Sequence, residues 1–598
     1  MPNLTGRAPG GDEPPRPGHS MAARLTTYVV VAIVAATLIA GLIVGAQRDD
    51  NDGLVDLIVY NAKVYTADSS GTMAEAVAVR GNQILRVGSN REINRLKRPQ
   101  TIAIDAGGAA VLPGFNDSST HFIDGGLALD EIDLTDATTI EEIQGRIKTW
   151  TEPHPDRLWI VGRGWQPSSL ATSPSRQLLD EVAPNHPVCL FSADGRTAWL
   201  NSKALQRAGI GGRSQAPADG TIVKEARTGQ PTGILKGTAV SLATKALPRA
   251  TRDDRLRALA AATEDAHRHG VTSVHDTIDH ADDFLLYDAA RRAGDLAVRV
   301  YASVSADDVP EVEVLKELES LSNRYPDDPL FKMGGPRISV DGAVESQDAL
   351  LLQPYDNRPD YQGRERIDAD VLNRLVRLLD ARHWQVTIAG NGDAAVRMAL
   401  NAFEHAVRSN SEPERGRRHL LEGVGLVDAS DVPRFGRLGT IATMRPGDMM
   451  PTSERLEAWA KAVGPERASR AFPAASLVSA RAQLAFTLST PAGIDPLTAI
   501  QTAVTRATPD GLPEDGWSAA ERVTLKRAIN AFTSVPAYAS FDEQRKGSLK
   551  KGMLADLVVL SDDIFNLPAT DMERATVAAT IFDGKIVYQR TAKTTNPD

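Results

Sequence analysis

The stretch VLPGFNDSSTHF, Val111–Phe122, decides the fold. An apolar run ends in Pro113-Gly114-Phe115 and then delivers Asp117 and His121 into a turn. A parallel α/β barrel presents metal ligands in this way, at the C-terminal ends of its strands. Such a site needs a second histidine two residues before His121, and Ser119 stands there instead. One short segment thus predicts the barrel and questions its metal.

Working outward, short apolar runs such as LWIVGRG, PVCLFSA, VTSVHD, LAVRVYASV, PRISVDG, QVTIAG and GTIATM alternate with helical stretches such as DDRLRALAAATEDAHRHG and DADVLNRLVRLLDARH. Repeated strand–helix units predict an α/β protein, a (β/α)8 TIM-like barrel with insertions, over residues 113–540. The runner-up, a doubly wound open sheet, would want a Gly-rich phosphate loop between strand and helix, and none is found. Outside the barrel, DLIVYNAKVYTAD, AVAVRGNQILRVG, ADLVVLSDD and ATIFDGKIVYQR alternate apolar and polar residues around the turns Gly81-Asn82 and Asp583-Gly584. Paired together, 53–112 and 541–590 predict a small β-sandwich built from both ends of the chain.

The N-terminus reads differently. Residues 1–27 form a Pro-, Gly- and charge-rich tail with the composition of disorder. Tyr28–Ala46, YVVVAIVAATLIAGLIVGA, carries no charge and as a helix would span roughly 28 Å, about a bilayer core. It predicts an N-terminal transmembrane helix, a single-pass anchor with the large domain outside the cytoplasm. The alternative is a signal peptide cleaved near Val44-Gly45-Ala46, giving a secreted or periplasmic protein. A net charge of −10 argues against a nucleic-acid surface. The lone Cys189 excludes an internal disulfide framework and a four-cysteine zinc site.

Several motifs together, VLPGFNDSSTHF, DGRTAWLNSKALQRAGI, GVTSVHD, VDGAVESQDALLLQPY, RHLLEG and KGSLKKGMLADLVVL among them, resemble the amidohydrolase superfamily. Within it they resemble the branch of N-substituted formamide deformylases and YtcJ-like proteins. The resemblance implies hydrolysis of non-peptide C–N bonds, with zinc or another divalent metal activating water at the barrel mouth. It also implies ligand positions, and here they hold unsuitable residues. Ser119 and Ala389 replace histidines, Arg337 stands at the bridging lysine, Gly423 at a histidine and Ser489 at the catalytic aspartate. Arg196 likewise stands where this branch often has a histidine. Arginine stays protonated and forms no carbamate ligand.

These substitutions lead to the expectation of no bound metal and of a binding or scaffolding homologue. The alternative is a hydrolase with altered chemistry that uses His121 with a carboxylate such as Asp341. Arg337 is expected to pair with Asp341 or to bind an anion, so a small amide or carboxylate is the expected ligand. His121, Asp341, Arg337 and His275 are the candidate ligand-binding residues. Asp341 and Asp393 also read as loop-tying carboxylates, His419 as structural, and His267 and His269 as surface or helix-capping residues.

Overall fold

Eight parallel strands surround the barrel axis: β1 Phe115–Thr120, β2 Val271–Ile278, β3 Arg299–Ser305, β4 Phe331–Ser339, β5 Thr387–Gly390, β6 Leu420–Gly423, β7 Ile441–Met444 and β8 Gln483–Phe486. Each pairs with the next in chain order. The computed structural model describes residues 55–590 except 155, 156, 168, 194, 219, 280, 281, 308, 326 and 489–494. Between β8 and β1 a side chain does the joining. The Asp117 carboxylate accepts from the Leu488 N–H at 3.0 Å and the Thr487 hydroxyl at 2.5 Å. A buried aspartate inside the segment that announced the barrel therefore helps close it.

Helices return the chain between strands, and their starts follow from local chemistry. Thr251 and Asp254 form a reciprocal cap on Arg252–Arg268, and Asp368 caps Ala369–Asp380. The latter buries Leu372, Leu375, Val376 and Leu379, the 3–4 spacing of an amphipathic helix.

Gly114 is the passage from sandwich to barrel. A Cβ there would lie 2.3 Å from Thr272 Oγ1, so only glycine lets the strand Ala110–Pro113 run on into β1. Ala110–Pro113 itself pairs antiparallel with Leu557–Leu560, joining the two ends of the chain in one six-stranded sheet. A four-stranded sheet made from Leu57–Tyr60, Ala76–Arg80, Gln83–Gly88 and Ile102–Asp105 faces it. Val59, Val79, Val111, Leu557 and Ile581 fill the space between them. At the second predicted turn, Asp583 and Gly584 both take positive φ, as a tight hairpin requires.

One expectation is corrected. LWIVGRG and PVCLFSA are not barrel strands; they belong to a separate six-stranded sheet inserted after β1, running between Ile132 and Gly237. The strand Val188–Ser192 is buried along its whole length because apolar clusters cover both faces, Leu190 with Trp165 and Trp199, and Phe191 with Leu200 and Leu235. Burial on both faces is also what a barrel strand experiences, so the two leave the same apolar run.

The membrane placement is also corrected. No helix among the described residues is long and apolar enough to cross a membrane, so a single-pass protein is not supported. The segment Tyr28–Ala46 on which that expectation rested lies outside the described residues.

Candidate functional site at the barrel mouth

The C-terminal ends of the strands converge on a cavity of about 170 Å³. Ser119 from β1, Arg337 from β4, Ala389 from β5 and Gly423 from β6 all line it. Four of the five positions that sequence flagged therefore meet in one place; the fifth, Ser489, lies outside the described residues. Asn391, Glu422, Thr443, Arg445, Asp448 and Thr487 complete the wall. No imidazole or thiol is among them. The wall holds two carboxylates and two guanidinium groups.

Arg337 does not pair with Asp341. Its Nε donates to Glu422 Oε2 at 2.8 Å and its Nη1 to Ser339 Oγ at 3.1 Å. The pair is largely buried, and the Glu422 carboxylate holds the guanidinium pKa above its ordinary value against the opposing pull of desolvation. Arg445, opposite, is gripped by both oxygens of Asp448 at 2.7 and 3.0 Å.

Asp341 faces a different task. Its oxygens accept the backbone N–H groups of Leu350, Asn391 and Gly392 at 2.8, 2.8 and 2.9 Å. Burial pushes its carboxyl up to about 6 while the three donors pull it down. It ties a loop and so positions Asn391 on the cavity wall, but does not itself line the cavity. Asp393 ties another loop through the Leu352 N–H.

His121 sits at the rim and not in the cavity. Its Nδ1 lies 3.1 Å from Asp279 Oδ2, and that contact raises the imidazole pKa. Asp124 completes the one group of three metal-capable side chains found among the described residues, with donor atoms within 4.8 Å of one another. All three are exposed, and Asp124 is already 3.4 Å from Arg255.

His275 is corrected as a mouth residue. It lies inside the barrel with its ring 5.1 Å from Tyr301, and burial drives its pKa down to about 3, so it stays neutral. Its neighbour Asp276 does reach the mouth side, accepting from the Phe122 N–H and the Tyr287 hydroxyl at 2.6 and 2.7 Å. His267 is buried against the Ala297 carbonyl rather than at the surface, and His419 is buried beside Asp380.

Gly423 is more than a missing side chain. It has φ +90°, and a Cβ would fall 2.4 Å from Asn391 Oδ1. The backbone at this position is shaped for glycine.

Sequence reasoning missed Thr443, Arg445 and Asp448. The signal was present, since TMRPGD spans the end of a barrel strand and so must reach the mouth. Thr443 is fully buried, and its hydroxyl has no hydrogen-bond partner among the described residues.

Residues 103–588 match Amidohydro_3, an amidohydrolase family. The chain belongs to that family. LONG AFTER FAR-RED 3 of Arabidopsis thaliana is 30% identical over 551 residues, covering 90% of this chain and 92% of the relative. The N-substituted formamide deformylase of Arthrobacter pascens is 29% identical over 546 residues, covering 90% and 99%. An uncharacterized metal-dependent hydrolase of Pyrococcus horikoshii OT3 shares the amidohydrolase fold, with a TM-score of 0.69 at 22% identity over 86% of this chain and 99% of that one. The amidohydrolase barrel is therefore common ground.

Proposed function

We propose that this amidohydrolase-family barrel binds a small neutral amide at its mouth, held by fixed side chains in place of a divalent metal. The observation that carries the reading is Arg337, a guanidinium built into the cavity wall and paired with Glu422. A zinc ion does not fit this donor set. The wall offers no imidazole or thiolate, and both of its carboxylates already serve guanidinium groups.

Charge balance chooses amide over carboxylate. At an effective dielectric of about 20, a charge ~4 Å from another contributes about 4 kcal/mol, attractive or repulsive. A carboxylate would be attracted by Arg337 and Arg445 and repelled about equally by Glu422 and Asp448, and its desolvation would remain uncompensated. A neutral amide avoids that cost. Its carbonyl takes donors from Arg337 and Thr443, and its N–H finds carboxylate oxygens. The relative named N-substituted formamide deformylase points to the same head group.

The test is acetamide binding by calorimetry with wild type and Arg337→Ala. Binding that falls at least about tenfold in the variant supports the reading; unchanged binding overturns it. A second reading, hydrolysis without a metal, is favoured by the contact between His121 and Asp279, which suits a proton-transfer pair. Turnover of N-formyl substrates by metal-free protein, lost in His121→Ala, would select it.

A further inference from the structure

We infer that the groove opening from the mouth cavity holds a short peptide-like chain with more than one amide, an inference that rests on the amide reading of the cavity itself. The cavity of about 170 Å³ shares Asn391, Arg445 and Asp448 with a groove of about 870 Å³. A formamide-sized group fits within the first and leaves the second empty. The groove lies within the ~300–1,000 Å³ range of sites that enclose a whole organic ligand. It runs between the barrel side, with Glu345 and Arg455, and loops of the inserted sheet, with Ala193 and Arg196.

The wall carries charges of both signs, Arg196, Arg445 and Arg455 against Glu345, Asp448 and Glu454. Arg445 pairs with Asp448 at 2.7 Å, Arg455 with Glu345 at 3.5 Å, and Arg196 with Asp348 at 3.7 Å at the outer edge. Donors and acceptors therefore both face the groove, with little net charge. A peptide chain offers a carbonyl and an N–H every ~3.5 Å, which matches such a wall. Each guanidinium carries five donors and each carboxylate about four acceptor sites, so pairing leaves capacity for a ligand. An alkyl chain would cover these polar groups without replacing the water they lose, at a desolvation cost. Glu345 is held in place by the Trp459 indole N–H at 2.8 Å, so its carboxylate is oriented before any ligand arrives. At the deep end the buried, unpartnered Thr443 hydroxyl independently marks a place for an acceptor.

Calorimetry on the full chain separates this inference from the reading beneath it. The probes are acetamide, N-acetylglycine N-methylamide with two amides, and N-hexylformamide with one amide and an apolar tail. The two-amide probe is expected to bind about tenfold tighter than acetamide, and N-hexylformamide to gain less. Ala193→Trp, on an exposed loop of the insert, should erase the gain and leave acetamide affinity unchanged; Glu345→Gln should reduce it. An equal or greater gain for N-hexylformamide, or no gain for the two-amide probe while acetamide binds, overturns the inference alone. Failure of acetamide to bind overturns both.

Discussion

Arg299 at the barrel floor and Arg337 at its mouth are both arginines bound to a carboxylate, and they do opposite work. Arg299 opens β3 and is nearly sealed from solvent. It grips Asp556 through Nε and Nη2 at 2.6 and 2.9 Å, reaches Asp583 at 2.9 Å, and donates to the Pro329 carbonyl. That arrangement bolts the barrel to the sandwich strands built from the C-terminal end of the chain. Arg337 uses Nε and Nη1, and no hydrogen bond from its Nη2 is found among the described residues. A guanidinium with its donors occupied is a fastener; one with donors left over, facing a cavity, is a receptor.

The largest expected effect falls on the floor. Arg299→Ala strands two carboxylates in the junction and should cost about 3–5 kcal/mol by denaturant unfolding, as breaking buried pairs does. Arg337→Ala should cost less, because it strands one carboxylate, Glu422, beside an open cavity, where Arg299→Ala strands two. Equal losses would break the distinction. Gly423→His sharpens it from the mouth side. The positive φ costs about 1–3 kcal/mol, before the approach to Asn391 is counted, so the variant should be destabilised rather than become a metal ligand.

Next comes pH. Burial raises Asp276 from 3.8 to about 7, opposed by its donors Phe122 N–H and Tyr287 hydroxyl. Between these values the folded state binds more protons than the unfolded one, so this group makes stability fall as pH rises from about 4 to about 7. Unfolding curves of Asp276→Asn should lose that slope. The smallest effect is Arg196→Ala. Its pair with Asp348 is more than half exposed on both sides, so less than ~1 kcal/mol is expected.

Much of the fold was legible because turns and strand ends carry local chemistry. Pro113-Gly114 marked the passage into the barrel and Asp583-Gly584 marked the last hairpin. The inserted sheet was not separable, because Val188–Ser192 is covered on both faces just as a barrel strand is. At the mouth, Ser119, Arg337, Ala389 and Gly423 could be gathered only through the family resemblance, which marks them as ligand positions; each lies in the last residues of its strand. The partner of Arg337 could not be read. Asp341 and Glu422 are both carboxylates at strand ends, and only the three backbone N–H groups converging on Asp341 assign it to the loop. Thr443 was legible by its place at a strand end alone, since nothing in the sequence marks a hydroxyl that finds no partner among the described residues.

The most direct measurement is the metal content of protein purified after growth in zinc- and manganese-rich medium, with an acetamide titration of the same sample. The account predicts well below one equivalent of metal per chain together with amide binding that depends on Arg337. One or two tightly held ions per chain, with amide binding that needs them, would contradict it.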